Sequence, residues 1–142
     1  MPQKGNLMRC TPATVLFAAG LATSIAGSAS AQLFEWITPA DGQWSNPANW
    51  TPVGVPNANG ANAVLGLMVP YTVSDTPSNV VVNSLTITNP NATLALTPGR
   101  LSSVRAGGIF NDGLIRLNQN NAAASTTFRF DQSALIDGTG TF

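Results

Sequence analysis

Short apolar runs broken by polar turns fill the second half of this chain. Thr86-Ile87-Thr88, Thr93-Leu94-Ala95-Leu96, Leu114-Ile115-Arg116-Leu117 and Thr127-Phe128-Arg129-Phe130 alternate with a period of two, the period of a half-buried β-strand. In the last two runs Arg116 and Arg129 fall on the face opposite Ile115, Leu117, Phe128 and Phe130, so the arginines are expected outward. The core this predicts is Leu85, Ile87, Leu94, Leu96, Ile109, Ile115, Leu117, Phe128 and Phe130, each contributing about 1.5–3 kcal/mol if fully buried. From Leu33 to about Gly66 the pattern changes. Pro39, Pro47, Pro52 and Pro56, with Gly42, Gly54 and Gly60, leave no helical period, and all three tryptophans, Trp36, Trp44 and Trp50, lie in this stretch.

The turns between strands resemble one another. Ile87-Thr88-Asn89-Pro90-Asn91 precedes one strand, Ile109-Phe110-Asn111-Asp112-Gly113 the next, and Ile136-Asp137-Gly138-Thr139-Gly140 leads into Thr141-Phe142. Asn and Asp cap local amides and Gly supplies positive φ, which is what tight turns need. Ile87 and Ile109 are 22 residues apart, Ile109 and Ile136 27 apart, and the extra residues fall in Asn118–Ser125, read as a loop bulging from one corner. A repeat near this length, with three short strands per turn, suits a right-handed parallel β-helix whose coils stack at ~4.8 Å. An antiparallel β-sandwich or a β-roll is the alternative all-β arrangement. The organisation expected is residues 32–66 as a Trp-rich capping segment and 67–142 as coils, incomplete at the C-terminus.

The N-terminal segment has a separate logic. Lys4 and Arg9 precede an apolar run from Ala13 to Ala26, and Ala29-Ser30-Ala31 has the small-x-small form of a signal-peptidase site. Residues 1–31 are therefore expected to be a signal peptide cleaved after Ala31; an uncleaved membrane anchor is the alternative, disfavoured because the run is shorter than the ~20 residues that span a bilayer. Cys10 lies before the apolar run, outside a lipoprotein cleavage position, and leaves with the peptide.

Composition then narrows the chemistry. The 142 residues include no histidine, one cysteine and equal numbers of cationic and anionic side chains, with only 8% charged. Zinc ligation, Ser-His-Asp and Cys-His catalysis all lack their parts. Nucleic acid would need clustered Lys and Arg, and beyond Ala31 the cations are only Arg100, Arg105, Arg116 and Arg129. An exported chain with no cysteine must rely on backbone ladders and a narrow core, without disulfides. No cofactor is expected.

Three groups of residues invite a functional reading. Trp36, Trp44 and Trp50, beside Asp41, Asn46 and Asn49, could stack on sugar rings as an exposed carbohydrate-binding surface, or they could seal the open end of the first coil as apolar caps. Asp112, Asp131 and Asp137 could supply the paired carboxyls of a polysaccharide-degrading enzyme, although Asp112 and Asp137 also fit ordinary turn chemistry. Asp137-Gly138-Thr139-Gly140 has one fragment of a calcium-binding β-roll phrase without its nonapeptide period. The sequons at Asn49 and Asn91 are read as chance matches.

The run Trp44-Ser45-Asn46-Pro47-Ala48-Asn49-Trp50, the VNSLTITNPNATLAL segment and the phrases GGIFNDGLIRLN and LIDGTGTF resemble the β-helical N-terminal regions of bacterial autotransporter-like and PEP-CTERM-type surface proteins. The likeness covers about Trp36 to Phe142. It implies a secreted or cell-surface β-helix with a structural or adhesive role and no catalytic activity, whose partners would be polysaccharide or other surface proteins, with membrane contact only during export. Up to Phe142 the sequence carries no sorting helix, basic tail or barrel of that pattern, and the chain is expected to be a fragment, or to have its end covered by a later domain or partner. An uncapped final strand is therefore expected, open to self-association or to covering by a further domain.

Overall fold

The computed structural model describes residues 31–75, 79–97, 101–117 and 125–142. The signal peptide expected at 1–31 thus lies outside the described residues apart from Ala31, as do residues 118–124 of the expected loop. The described chain is all-β. Its strands are β1 (Gln32–Trp36), β2 (Gly42–Gln43), β3 (Trp50–Thr51), β4 (Ala61–Leu65), β5 (Tyr71–Ser74), β6 (Val80–Ile87), β7 (Ala92–Leu96), β8 (Leu101–Asn111), β9 (Leu114–Leu117), β10 (Thr127–Phe130) and β11 (Ile136–Asp137). One 3-10 turn, Pro47–Asn49, interrupts them. The strands read from period two at Leu114–Leu117 and Thr127–Phe130 form with those bounds.

Two sheets share the strands. One runs β10-β8-β6-β4-β1-β3, with β11 also on β8; the other runs β2-β5-β7-β9. From β4 to β10 the chain visits the sheets alternately, and every strand pairing is parallel except β1 with β3. Parallel neighbours cannot be joined by a hairpin, so each pass must cross the core before it pairs again. The result is a set of stacked columns. Ala63, Leu85, Ile109 and Ile136 form one, and Val73, Leu94 and Ile115 another.

The strand register corrects the repeat read from sequence. Ile109 stacks on Leu85, and Ile87 lies against Asn111, so the turn phrases are offset by two residues from the strands. The offset arises where β6 and β8 bend. Val82 pairs with Val104 and Ser84 with Gly108, leaving Arg105, Ala106 and Gly107 opposite Asn83 alone. Gly108 holds a φ of 73°, and a Cβ there would collide with the Leu135 carbonyl that accepts from the Ile109 amide, so the bend needs glycine. Beyond it β8 splits its pairing, the first part to β10 and the second to β11.

The core lies between the sheets and includes Leu85, Ile87, Leu94, Leu96, Ile109 and Ile115 as expected, together with Phe34, Ala61, Ala63, Leu65, Tyr71, Val73, Val82 and Val104. Three expected core residues differ. Leu117 and Phe130 are 44% and 36% exposed, and Phe128 is half-buried against the cluster. Leu117 stacks on the buried Leu96 and Phe130 on the buried Val104, so their parity is that of core residues. What they lack is a neighbour on the far side, because β9 and β10 are the last strands of their sheets among the described residues. Arg116 and Arg129 face outward.

Candidate functional site

The three tryptophans do meet. Trp36 ends β1 and Trp50 opens β3, and the two residues are register partners across that antiparallel pair. The WSNPANW segment between them is bent by the 3-10 turn, where Asn46 accepts from the Ala48 amide at 3.1 Å with Pro47 in the first turn position. Trp36 and Trp50 pack edge to face with centroids 5.2 Å apart, Trp44 and Trp50 at 4.7 Å, and Trp36 stacks on Tyr71 at 6.2 Å. Such pairs are worth about 0.5–1.5 kcal/mol each beyond area burial. Every indole N–H is satisfied: Trp36 donates to Thr38 O, Trp44 to Pro56 O and Trp50 to Trp44 O.

Of the two readings offered for the tryptophans, this geometry corrects that of exposed stacking faces. Trp36, Trp44 and Trp50 are 2%, 2% and 0% exposed, so their faces meet one another and not a sugar ring. The reason is local. Asn49, itself buried, accepts from Thr38 Oγ1 (2.9 Å) and donates to Gln43 O (3.1 Å), drawing the loop over the rings. Gly42 lies so close that a Cβ would stand 2.8 Å from Asn49 Nδ2 and 2.9 Å from the Trp36 ring. The Asn49 sequon amide is therefore buried and hydrogen-bonded, whereas Asn91 is exposed.

Tyr71 extends the cluster inward. It is 3% exposed and its hydroxyl has no hydrogen-bond partner in good geometry; burial pushes the phenol up to about 12, and the Leu67 backbone offsets this only in part. Sequence reading missed this residue because a lone tyrosine in a short strand looks like any other β-former.

The carboxylates are dispersed into structural duties. Asp112 accepts from the Thr139 amide (2.9 Å) and hydroxyl (3.0 Å), and Asp137 from the Gly138 amide (2.7 Å). Asp131 is ion-paired with Arg129, whose hydrogen bond holds the carboxyl below its ordinary range, with Ser103 and the charge of Arg105 acting in the same direction. Among the described residues no three His, Cys, Asp or Glu side chains converge as a metal site.

Asp75, which sequence reading passed over, is buried at 1% exposure. Its Oδ1 accepts from the Thr97 amide (2.8 Å) and hydroxyl (2.9 Å), and its Oδ2 from Ser102 (3.2 Å). A recess of about 230 Å³ adjoins it, lined by Trp44, Ser45, Val55, Asn57 and Val80. The same role recurs along the stack. The Thr72 amide donates to Asp41 (2.6 Å), the Val81 amide to Asn57 (2.9 Å), the Thr97 amide to Asp75 and the Thr139 amide to Asp112. Each Asx oxygen thus holds a backbone N–H one pass further along the chain. Two buried asparagines join passes through their amide nitrogens: Asn89 donates to Leu67 O (2.5 Å) and Val69 O (2.7 Å), and Asn111 to Thr141 O (3.2 Å). The chemistry assembled here is that of a hydrogen-bonded scaffold. In comparisons with known proteins, no family model, no curated protein and no solved structure matches the chain.

Proposed function

We propose that this chain is an exported, non-catalytic structural or adhesive protein of the bacterial surface, built as a right-handed parallel β-helix of the kind found in autotransporter-like and PEP-CTERM-type proteins. The observation that carries the reading is the stacking of successive passes in parallel register. Parallel strands recur in both sheets, apolar columns run through the middle, and Asx side chains reach from pass to pass. In a solenoid each unit contacts only its neighbours, and length is gained by repetition. Such a column displays turns at regular height, which suits adhesion or spacing. The tryptophan cluster closes its first end, and β3 covers the outer edge of β1 by antiparallel pairing.

Export is tested by producing the full chain in a bacterial host and determining the N-terminus of the product. The expected product begins at Gln32 and is recovered outside the cytoplasm. A cytoplasmic product with residues 1–31 intact would overturn the localisation and with it the surface role.

A further inference from the structure

The far end of the larger sheet is built differently from the tryptophan end. There β10 pairs with β8 on one side and with no described strand on the other. The Asp131 amide donates to Val104 O at 3.1 Å, so it points toward β8. Backbone groups alternate sides along a strand, and the N–H and C=O of Phe128 and Phe130 therefore face the free edge. Their side chains, packed edge to face at 5.6 Å, line the rim of the core, with Phe130 36% exposed. Arg129 and Asp131 occupy the opposite face as an ion pair.

We propose that this edge pairs with the same edge of a second copy, antiparallel and centred on Phe130. Registers centred on Phe128, Arg129 or Phe130 would all use the outward backbone groups, but centring on Phe128 sets Arg129 opposite Thr127 and brings no charges together. Centring on Arg129 sets Arg129 opposite Arg129, and like charges directly opposite are destabilising. Centring on Phe130 sets Phe130 opposite Phe130 as the hydrogen-bonded pair and Arg129 of each copy opposite Asp131 of the other. Of these registers only the one centred on Phe130 sets opposite charges face to face, so charge complementarity favours it, and it is self-complementary as a two-fold dimer requires. The pairing also covers the rim aromatics that β10 leaves half-covered, and it removes an open edge that would otherwise template uncontrolled strand addition.

Charge reversals test the register by sedimentation equilibrium of the full chain. The native protein dimerises. Arg129→Glu and Asp131→Arg each weaken the dimer by about tenfold or more, since two symmetric pairs change from attractive to repulsive. Mixing the two variants restores a dimer. The carboxylate that replaces Arg129 in one copy then faces the guanidinium that replaces Asp131 in the other, while the ion pair within each chain stays broken. Circular dichroism checks that each variant is folded. A native protein that stays monomeric overturns the proposal, the outcome expected if another segment or domain covers this edge. A dimer indifferent to both reversals, or a mixture that fails to recover, overturns it as well.

Discussion

The hydroxyl of Tyr71 gives the interior of this protein a proton whose loss can be followed alone. The chain has a single tyrosine, so tyrosinate absorbance during an alkaline titration reports that group and no other. Its ring lies against Trp36 and its oxygen is buried without a partner in good geometry, so the phenolate would enter a site where only the Leu67 backbone offers partial stabilisation. Burial raises the phenol from 10.0 to about 12. Between those values the unfolded chain has released its proton and the folded chain has kept it. The contribution of Tyr71 to stability is then constant below pH 10, falls by about 1.4 kcal/mol per pH unit above it, and levels off near 12, an overall loss of about 2–3 kcal/mol. Titrating the protein in buffer and in urea should give two curves, the folded one displaced upward. If the chain unfolds during the titration, absorbance and circular dichroism change together, still above the midpoint in urea. Tyr71→Phe should abolish this alkaline loss and leave neutral-pH stability unchanged or raised, since it removes a buried hydroxyl that has no partner. A folded-state midpoint equal to that in urea would refute the burial argument.

Urea denaturation should separate the two apolar residues of β9. Ile115→Asp places a carboxylate at a position with 0% exposure and should abolish cooperative unfolding, whereas Leu117→Asp, at 44% exposure, should cost less than about 1 kcal/mol. Trp50→Ala should cost about 3–5 kcal/mol, because it removes a fully buried ring that touches both other indoles; a loss below about 1 kcal/mol would show that the cluster does not close the core. Deleting residues 73–93 joins Thr72 to Leu94, the residue that stacks on Val73. If the passes form a solenoid, the shortened chain should still melt in one transition at reduced temperature; a chain that no longer folds would argue for a closed sandwich.

Local pattern carried the strands well. Period-two alternation located β9 and β10 and chose the inward residues Ile115, Leu94 and Leu96. It could not show that Leu117 and Phe130, correct in parity, have a strand neighbour on one side only, the Thr141 bridge to β9 reaching Leu114 and not Leu117, because cross-strand neighbours are a property of the sheet. The offset of Ile87 against Asn111 was hidden for a related reason: similar turn phrases suggested one register, while the bend at Arg105–Gly107 shifted the strands to another. The tryptophans were singled out correctly as a group, but clustering in sequence is equally compatible with rings facing solvent and rings facing each other. Asn49 and Gly42 decide the matter through contacts with Gln43, Thr38 and Trp36 that spacing does not reveal. Asp75 carried no signal beyond its place at a strand end.

The Asx bonds between passes also imply an order of events. In each of the four cases the oxygen belongs to the earlier residue and the amide to the later one: Asp41 before Thr72, Asn57 before Val81, Asp75 before Thr97 and Asp112 before Thr139. A chain emerging from its N-terminus would thus arrive at each corner with the acceptor already in place and the donor still to come. The contacts among the three indoles lie within residues 36–50 and so precede the later passes, with Pro56 and then Tyr71 joining them as the chain lengthens. Growth by addition onto a finished end would leave only the newest edge exposed at any moment, which is where a protein of low charge is most vulnerable to pairing with a stranger.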